Sequence, residues 1–527
     1  MKYLVSQLLG RLGQSVQNAS GWEIASGFLI CYGLYVGTLV VYRLTLHPLS
    51  KFPGPFLCQI SYLQQCYYEA ILGGKFVMRI EEYHQKYGPV VRISPNEVHL
   101  SDAALYHEIY KQNSPFTKDA TSYALGVSEA IAFVSPVDQH RRKRKTLEPC
   151  FSKQRVSTME DGMYEELDLV FDKIDNYESR NEDVPIMELF FCYTGDIVSR
   201  YLFGESLGLV TSPDFLERSE QLRSFTKGIW IAIHFQFIRN ALLALPRSFI
   251  AHLNGTWVKV LWFTENLARK AILNFDMKNG SSEKEVGETI FDHILAEDAR
   301  RQQKGAHAKS VTFRELADES TGILNAGTEP TATMLSYATY FWLRFTHVQN
   351  RVLGELATVP RENGRLPLAK LETLPYFTGF VKESLRYMPL VPGRLPRTVP
   401  RGGLYVPSIG DTIPEGYVVG LNHIAIHFDE DIFERPKEFL PERWIGDGGK
   451  ELNQWLLSFS KGRTDCIGKI LAYAEMHLLL GNLFARYEIL PTPNIHEDMV
   501  WIDRVIVHST RNLCIKVKKR QAESICC

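Results

Sequence analysis

The sequence has almost no net charge. Lysine and arginine number 59 against 60 aspartate and glutamate, a formal balance of −1 over 527 residues, so nothing points to nucleic acid as a partner. It has no C-x-x-C pair. Its nine cysteines are scattered, which argues against zinc and against a disulfide framework. No internal repeat and no long low-complexity segment is present. Cys526 and Cys527 close the chain without a C-a-a-X box, leaving acylation and an unmodified frayed tail both open. What is present is an ordinary globular composition, 45% hydrophobic and 23% charged, at a length that suits two or three average domains.

One stretch lacks charge altogether. Ile24 to Tyr42 is almost uninterrupted apolar sequence, and about 20 such residues cross a bilayer core. No small-residue cleavage site accompanies it, which argues against a removed signal peptide; a buried core helix is the competing reading. Arg43, His47 and Lys51 follow the span while Lys2 and Arg11 precede it, a bias that favours a cytosolic body. Pro48, Pro53 and Pro55 then make a stiff connector. The expected division is a short segment at 1–23, a transmembrane helix at 24–42, a proline-rich hinge at 43–55 and a single large body at 56–527. Asn18, Asn254 and Asn279 open glycosylation sequons, of which only Asn18 would face the lumen in this topology.

Periodicity predicts a helix over Lys75 to Tyr87, ended by Gly88-Pro89. Val90–Ile93 and Glu97–Leu100 flank Ser94-Pro95-Asn96 and read as a β-hairpin. Ser114 to Pro136 is a long loop-rich stretch, a type that is often functional. Residues 155–300 give amphipathic helices without a motif. Within them Phe225 to Leu245 reads equally as a lid over a pocket or as plain core, and Arg300 to Lys309 reads as a polar connector. Thr312 and Glu315 form a capping box that opens a long helix. Another helix starts at Pro375 and stops before Pro389.

Four patterns carry chemistry. Phe459 to Gly468 places Cys466 in a glycine-punctuated loop directly before an apolar helix, whose positive end favours a thiolate. A thiolate so held can ligate haem iron; the bland alternative is a buried structural cysteine. His140 and Arg144 stand one helical turn apart in the densest basic run, which by itself reads as a solvated helix face. Glu383 and Arg386 share a helix face at i, i+3, and Arg443 follows in Pro441-Glu-Arg-Trp444. Ala326-Gly-Thr-Glu-Pro-Thr331 sits mid-helix. Glycine and proline there cost about 1 and 3 kcal/mol against alanine, so a reason beyond packing is expected. We expect Gly327 and Pro330 to open the helix locally, freeing the Ala326 carbonyl to hold a water and letting Thr331 turn inward.

These stretches resemble the cytochrome P450 family, closest to its membrane-bound members in fungal secondary metabolism. Phe459, Gly462, Cys466 and Gly468 match the signature Phe-x-x-Gly-x-Arg-x-Cys-x-Gly, but the arginine position holds Thr464, with Arg463 one residue earlier. Ala326, Gly327 and Glu329 match the distal-helix motif, whose threonine falls on Pro330, leaving Thr331 as the nearest hydroxyl. The resemblance runs from about His47 to the C-terminus. It implies a mainly α fold with a small β-rich part and one haem domain. It implies haem b with Cys466 as axial ligand, and Phe459 and Gly468 as parts of the loop that cradles it. His140, Arg144, Arg397 and Arg463 become candidates for the haem propionates, and Glu329 and Thr331 for proton delivery to dioxygen. Glu383, Arg386 and Arg443 become a structural network beneath the loop, and Val391 to Leu395 a pocket wall. The implied activity is monooxygenation of a small lipophilic substrate, terpenoid first, using O₂ and NADPH. Electrons would come through an NADPH–cytochrome P450 reductase in the endoplasmic reticulum membrane, since the chain has no flavin domain. A haem enzyme that rearranges or dehydrates without NADPH, and an inactive haem-binding relative, are the alternatives left by Pro330 and Thr464.

Overall fold

The computed structural model describes residues 20–124, 126–246, 256–280, 289–303, 310–493, 495 and 499–520. Asn18, Asn254, Cys526, Cys527 and nearly all of segment 1–23 lie outside them. Helix α1, Gly21–Thr45, begins at Ser20, whose side chain accepts from the Glu23 N–H while Glu23 reaches back to the cap. It extends the expected span by three residues at each end. No residue of it is buried, and its length and hydropathy are those of a membrane-crossing helix. The hinge is fixed from the body side by Arg92, a fully buried guanidinium. Its Nη1 donates to the Arg43 carbonyl at 2.9 Å, and its Nη2 meets the Pro95 carbonyl at 2.9 Å and His47 Nδ1 at 3.2 Å. A buried cation needs such partners, so the turn after α1 is tied to the strand that carries Arg92.

That strand belongs to the hairpin anticipated from sequence. Helix α2, Phe76–Tyr87, ends at Gly88, and β1, Val90–Ser94, pairs antiparallel with β2, Glu97–Leu100. Among its described residues the loop-rich stretch contributes only β3, Thr117–Lys118. With β4, Arg397–Thr398, and β5, Val418–Gly420, these make a five-stranded sheet in the order β1-β2-β5-β4-β3. Only the β2–β5 pairing is parallel. The register sets Lys118 directly opposite Arg397.

Most of the rest is helical, as the resemblance implied, with small further sheets such as Tyr487–Pro491 paired with Cys514–Lys519. The basic run forms α3, Val137–Leu147; α4, Ile186–Phe203, is buried almost throughout; α5, Ile229–His234, lies over the cavity described below. The 32-residue α6, Phe313–Arg344, runs through the middle, capped by the Thr312–Glu315 box. Helices α7, Pro375–Tyr387, and α8, Lys469–Arg486, pack against its C-terminal half, where the Trp342 and Phe484 rings stack at 4.0 Å. A hairpin of β6, Trp501–Arg504, and β7, Ile506–Ser509, follows α8.

Two expectations change. Helix Ile290–Gln303 carries Arg300–Gln303, so the polar connector is shorter than read and its remainder lies outside the described residues. α6 is continuous through Pro330, and Gly327 serves packing rather than opening: a Cβ there would stand 2.7 Å from Val198 Cγ2 of α4. At the same crossing the Thr194 hydroxyl of α4 donates to the Thr328 carbonyl at 3.0 Å.

Candidate functional site

The Cys466 loop is shaped by its own backbone. The Cys466 N–H donates to the Phe459 carbonyl at 2.8 Å, and Gly462 has φ +70° in the left-handed region. A Cβ on Gly462 would lie 2.1 Å from the Tyr110 carbonyl oxygen, so the close approach of two backbones selects glycine. The Phe459 ring lies 5.3 Å from that of Tyr473. Gly468 caps α8, and its N–H faces the Cys466 sulfur, stabilising negative charge there; burial still pushes the thiol above its ordinary pKa. Cys466 opens into a cavity of about 1010 Å³ that also receives Gly468, Thr464, His140, Arg144 and Arg397. Gly468 has an ordinary φ of −83°, and a Cβ on it would meet nothing within 4 Å. The protein's own packing therefore gives no reason for glycine there, whereas a flat group lying on the loop does.

Cations collect around the same space. Arg397 donates to the Tyr123 hydroxyl at 2.8 Å and the Thr464 hydroxyl at 3.1 Å. Arg144 clamps the loop, with Nη1 on the Asp465 carbonyl at 2.6 Å and Nη2 on the Asp465 carboxylate at 2.8 Å. His140 is buried, its Nδ1 lacks a partner among the described residues, and burial followed by Lys118, Arg463 and Arg144 pushes its pKa down to about 3. Lys118 was not singled out in the sequence. It is buried on the cavity wall, donates to the Ile131 and Ala132 carbonyls at 3.1 and 2.7 Å, and is pushed down to about 7 by burial and then by Arg397 and Arg463. Its only sequence signal was its place in a long loop. Mutual repulsion of this kind is relieved by an anion, and a group with two carboxylates suits it. Arg463 sits apart: its side chain donates to the Phe116 carbonyl at 2.8 Å and lines a neighbouring cleft with Arg141, Lys145 and Asp465.

Above Cys466 the cavity wall is α6, through Gly322, Ile323, Ala326, Gly327, Pro330 and Thr331. Thr331 reaches it without any unwinding of the helix. Its hydroxyl faces Glu475 of α8, a fully buried carboxyl on the cavity wall that burial holds protonated far above the ordinary 4.5. No side chain closes a well-formed hydrogen bond on either Glu475 oxygen among the described residues. Glu329 turns the other way, with Oε1 3.5 Å from His508 Nδ1, and does not line the cavity.

A family model described as Cytochrome P450 matches residues 52–514. The chain belongs to the cytochrome P450 family. It is similar to the cytochrome P450 monooxygenases sdnE of Sordaria araneosa, 31% identical over 88% of this chain and 92% of the relative, and BOT1 of Botryotinia fuckeliana, 30% identical over 91% and 92%. It is also similar to the cytochrome P450 monooxygenase macH of Penicillium terrestre, 30% identical over 96% and 99%.

Two features of this P450 hold its cysteine loop, and the first answers to a sequence departure. Where the family signature has arginine, the Thr464 hydroxyl accepts from Arg397, so the loop meets a guanidinium brought from β4. Beneath the loop, Glu383 gathers Arg386 at 2.7 and 3.0 Å, Arg443 at 3.2 Å, the Trp444 indole at 2.8 Å and the Leu440 N–H at 3.0 Å. Arg386 also donates to the His427 carbonyl at 2.7 Å, and Arg443 to the Glu434 carbonyl at 2.8 Å. Glu383 and Arg386 are fully buried, and each is saturated with partners, as buried charges must be.

Proposed function

We propose that this P450 is a haem-thiolate monooxygenase that oxidises a lipophilic intermediate of fungal secondary metabolism, with a terpenoid as the favoured substrate class. The observation that carries it is one cavity faced at once by the Cys466 sulfur and the Thr331 hydroxyl. Haem b bound through a thiolate supplies dioxygen activation, because the thiolate donates electron density that favours O–O cleavage. Cys466 would hold the iron through its thiolate, with Phe459 and Gly468 shaping the face it offers. Arg397, Arg144, His140 and Lys118 would meet the propionates; Arg463 would act from the neighbouring cleft. Thr331 would hold a proton at its hydroxyl, and the neutral Glu475 carboxyl would supply it from behind. Glu329, being turned to His508, would keep α6 in place rather than touch the substrate. The aliphatic and aromatic wall formed by Ile323, Val391, Leu390 and Phe133 suits an apolar skeleton and excludes water.

Helix α1 supports a single-pass membrane protein, placed in the endoplasmic reticulum with the body in the cytosol, drawing electrons from NADPH through the reductase partner. The Thr331 hydroxyl on the cavity favours this reading over rearrangement without NADPH, which Pro330 alone would suggest. The test is metabolite profiling of a strain lacking the gene, followed by incubation of the accumulated precursor with the protein, reductase, NADPH and labelled O₂. Label in a product that forms only with NADPH and reductase is expected. Conversion without NADPH would replace this reading with the rearranging one.

A further inference from the structure

The tip of the β6–β7 hairpin enters the cavity at Asp503 and Val505. Val505 has φ +72°, a left-handed conformation that a β-branched residue strongly resists. Strain of this kind persists only where the surroundings impose it, and it concentrates at ligand-binding positions. Here the imposing contacts all converge on Asp503. Its N–H donates to the Gly74 carbonyl at 2.9 Å, its carbonyl accepts from the Trp230 indole of α5 at 2.6 Å, and its Oδ1 accepts from the Val505 N–H at 2.7 Å. Every polar atom of Asp503 is thus occupied except Oδ2, which has no partner among the described residues. Oδ2 lies beside Gly393, another cavity residue, where a Cβ would stand 3.6 Å from it. The bare Cα leaves that side of the oxygen open.

The neighbouring charges do not compete for Oδ2. Arg394 is committed to Glu97 Oε1 at 2.6 Å and Glu69 Oε1 at 3.0 Å, and His234 to Glu69 Oε2 at 2.6 Å. Much of the remaining cavity wall is aliphatic or aromatic, including Trp230, Ile233, Phe133, Ile323 and Ile506.

We infer that Asp503 Oδ2 is a substrate anchor that takes the hydroxyl group of an otherwise apolar molecule and so decides which carbon is presented towards Cys466. Burial and then the charge of Glu69 raise the Asp503 carboxyl to about 7. Near neutral pH it therefore exists in both protonation states, and a hydroxyl, being both donor and acceptor, pairs with either. An ammonium pairs with the carboxylate alone. The anchor rests on the reading of the cavity as a lipophilic substrate pocket, and it deepens that reading. The substrate arrives already oxygenated, so a step that installs a hydroxyl, by hydration, reduction or earlier oxidation, must precede this one.

The test uses full-length, haem-loaded protein that shows the red-shifted thiolate band of its reduced carbon monoxide complex. Farnesol, farnesyl methyl ether and farnesylamine are titrated and followed by the ferric Soret shift. Farnesol is expected to bind at least about tenfold more tightly than the ether, the equivalent of one good hydrogen bond. Asp503→Leu should erase that preference. Should Asp503→Leu fail to fold, Gly393→Ala serves instead: its methyl makes only ordinary contact with Oδ2 but screens it, and should cut the preference several-fold. Equal binding of alcohol and ether, amine binding tighter than that of the alcohol and lost in Asp503→Leu, no response to any probe, or an unchanged preference in both variants would each overturn the anchor. None of these outcomes touches the thiolate band, so the haem-thiolate assignment stands or falls separately.

Discussion

Arg397 and Thr464 lie 67 residues apart in sequence and meet at 3.1 Å, the guanidinium donating to the hydroxyl. The loop thereby receives from a strand the cation that the family signature would place within the loop itself. Thr464→Val removes the acceptor and keeps the shape. Losing one such bond costs about 1 kcal/mol, so haem should leave roughly fivefold faster when captured by apomyoglobin. An unaltered release rate would mean that Tyr123 and the Leu395 and Pro396 carbonyls suffice to hold Arg397 in position.

Cys466→Ser should abolish the red-shifted absorbance of the reduced carbon monoxide complex. Serine preserves the loop, since the Cys466 N–H to Phe459 carbonyl bond does not involve the side chain. A spectrum identical to the parent would put the ligand elsewhere.

Thr331→Ala and Glu475→Gln address proton supply. Both should retain haem and substrate binding while product formed per NADPH falls, on the order of tenfold or more, with peroxide released in its place. Full coupling in Thr331→Ala would reduce that residue to a helix position without a chemical task.

Glu475 also makes a prediction about stability. Its native pKa is raised above 4.5 by burial, so its contribution is full below about 4.5 and is lost as pH climbs towards the native value. The unfolded chain ionises there while the folded one does not. Glu475→Gln does not titrate. Its melting temperature relative to the parent should therefore rise as the pH climbs above about 4.5. A gap independent of pH would show that Glu475 ionises alike in both states.

Glu383→Ala should be far more damaging, because it leaves Arg386 buried without its partner; about 3–5 kcal/mol is expected. Urea unfolding monitored by haem absorbance measures it. A loss under about 1 kcal/mol would mean that the backbone carbonyls suffice for Arg386.

What the sequence reveals depends on whether the chemistry is contiguous. Cys466 stands in a short run whose glycines and following helix are all adjacent, so the loop is legible from its own residues. The Thr312 cap and the β1–β2 hairpin are local for the same reason. Gly327 looked like a hinge because its true partner, Val198, comes from another helix and leaves no mark nearby. Glu329 belongs to a local motif, but its approach to His508 at 3.5 Å comes from far along the chain and leaves no mark nearby. Lys118, Glu475 and Asp503 are single residues of common types. Their properties come from burial, which a sequence shows only when a pattern surrounds it.

The grip of Arg92 on Arg43 and His47 has a mechanical consequence. A membrane span joined by a loose tether tilts as the bilayer thickens or thins while the attached body stays put. Here the last turn of α1 and the sheet bearing β1 share one guanidinium, so with α1 in a bilayer, tilt of the helix would become tilt of the body. The angle at which the cavity meets the lipid surface would then follow membrane thickness. Lipid composition would regulate access to this pocket without ever touching it.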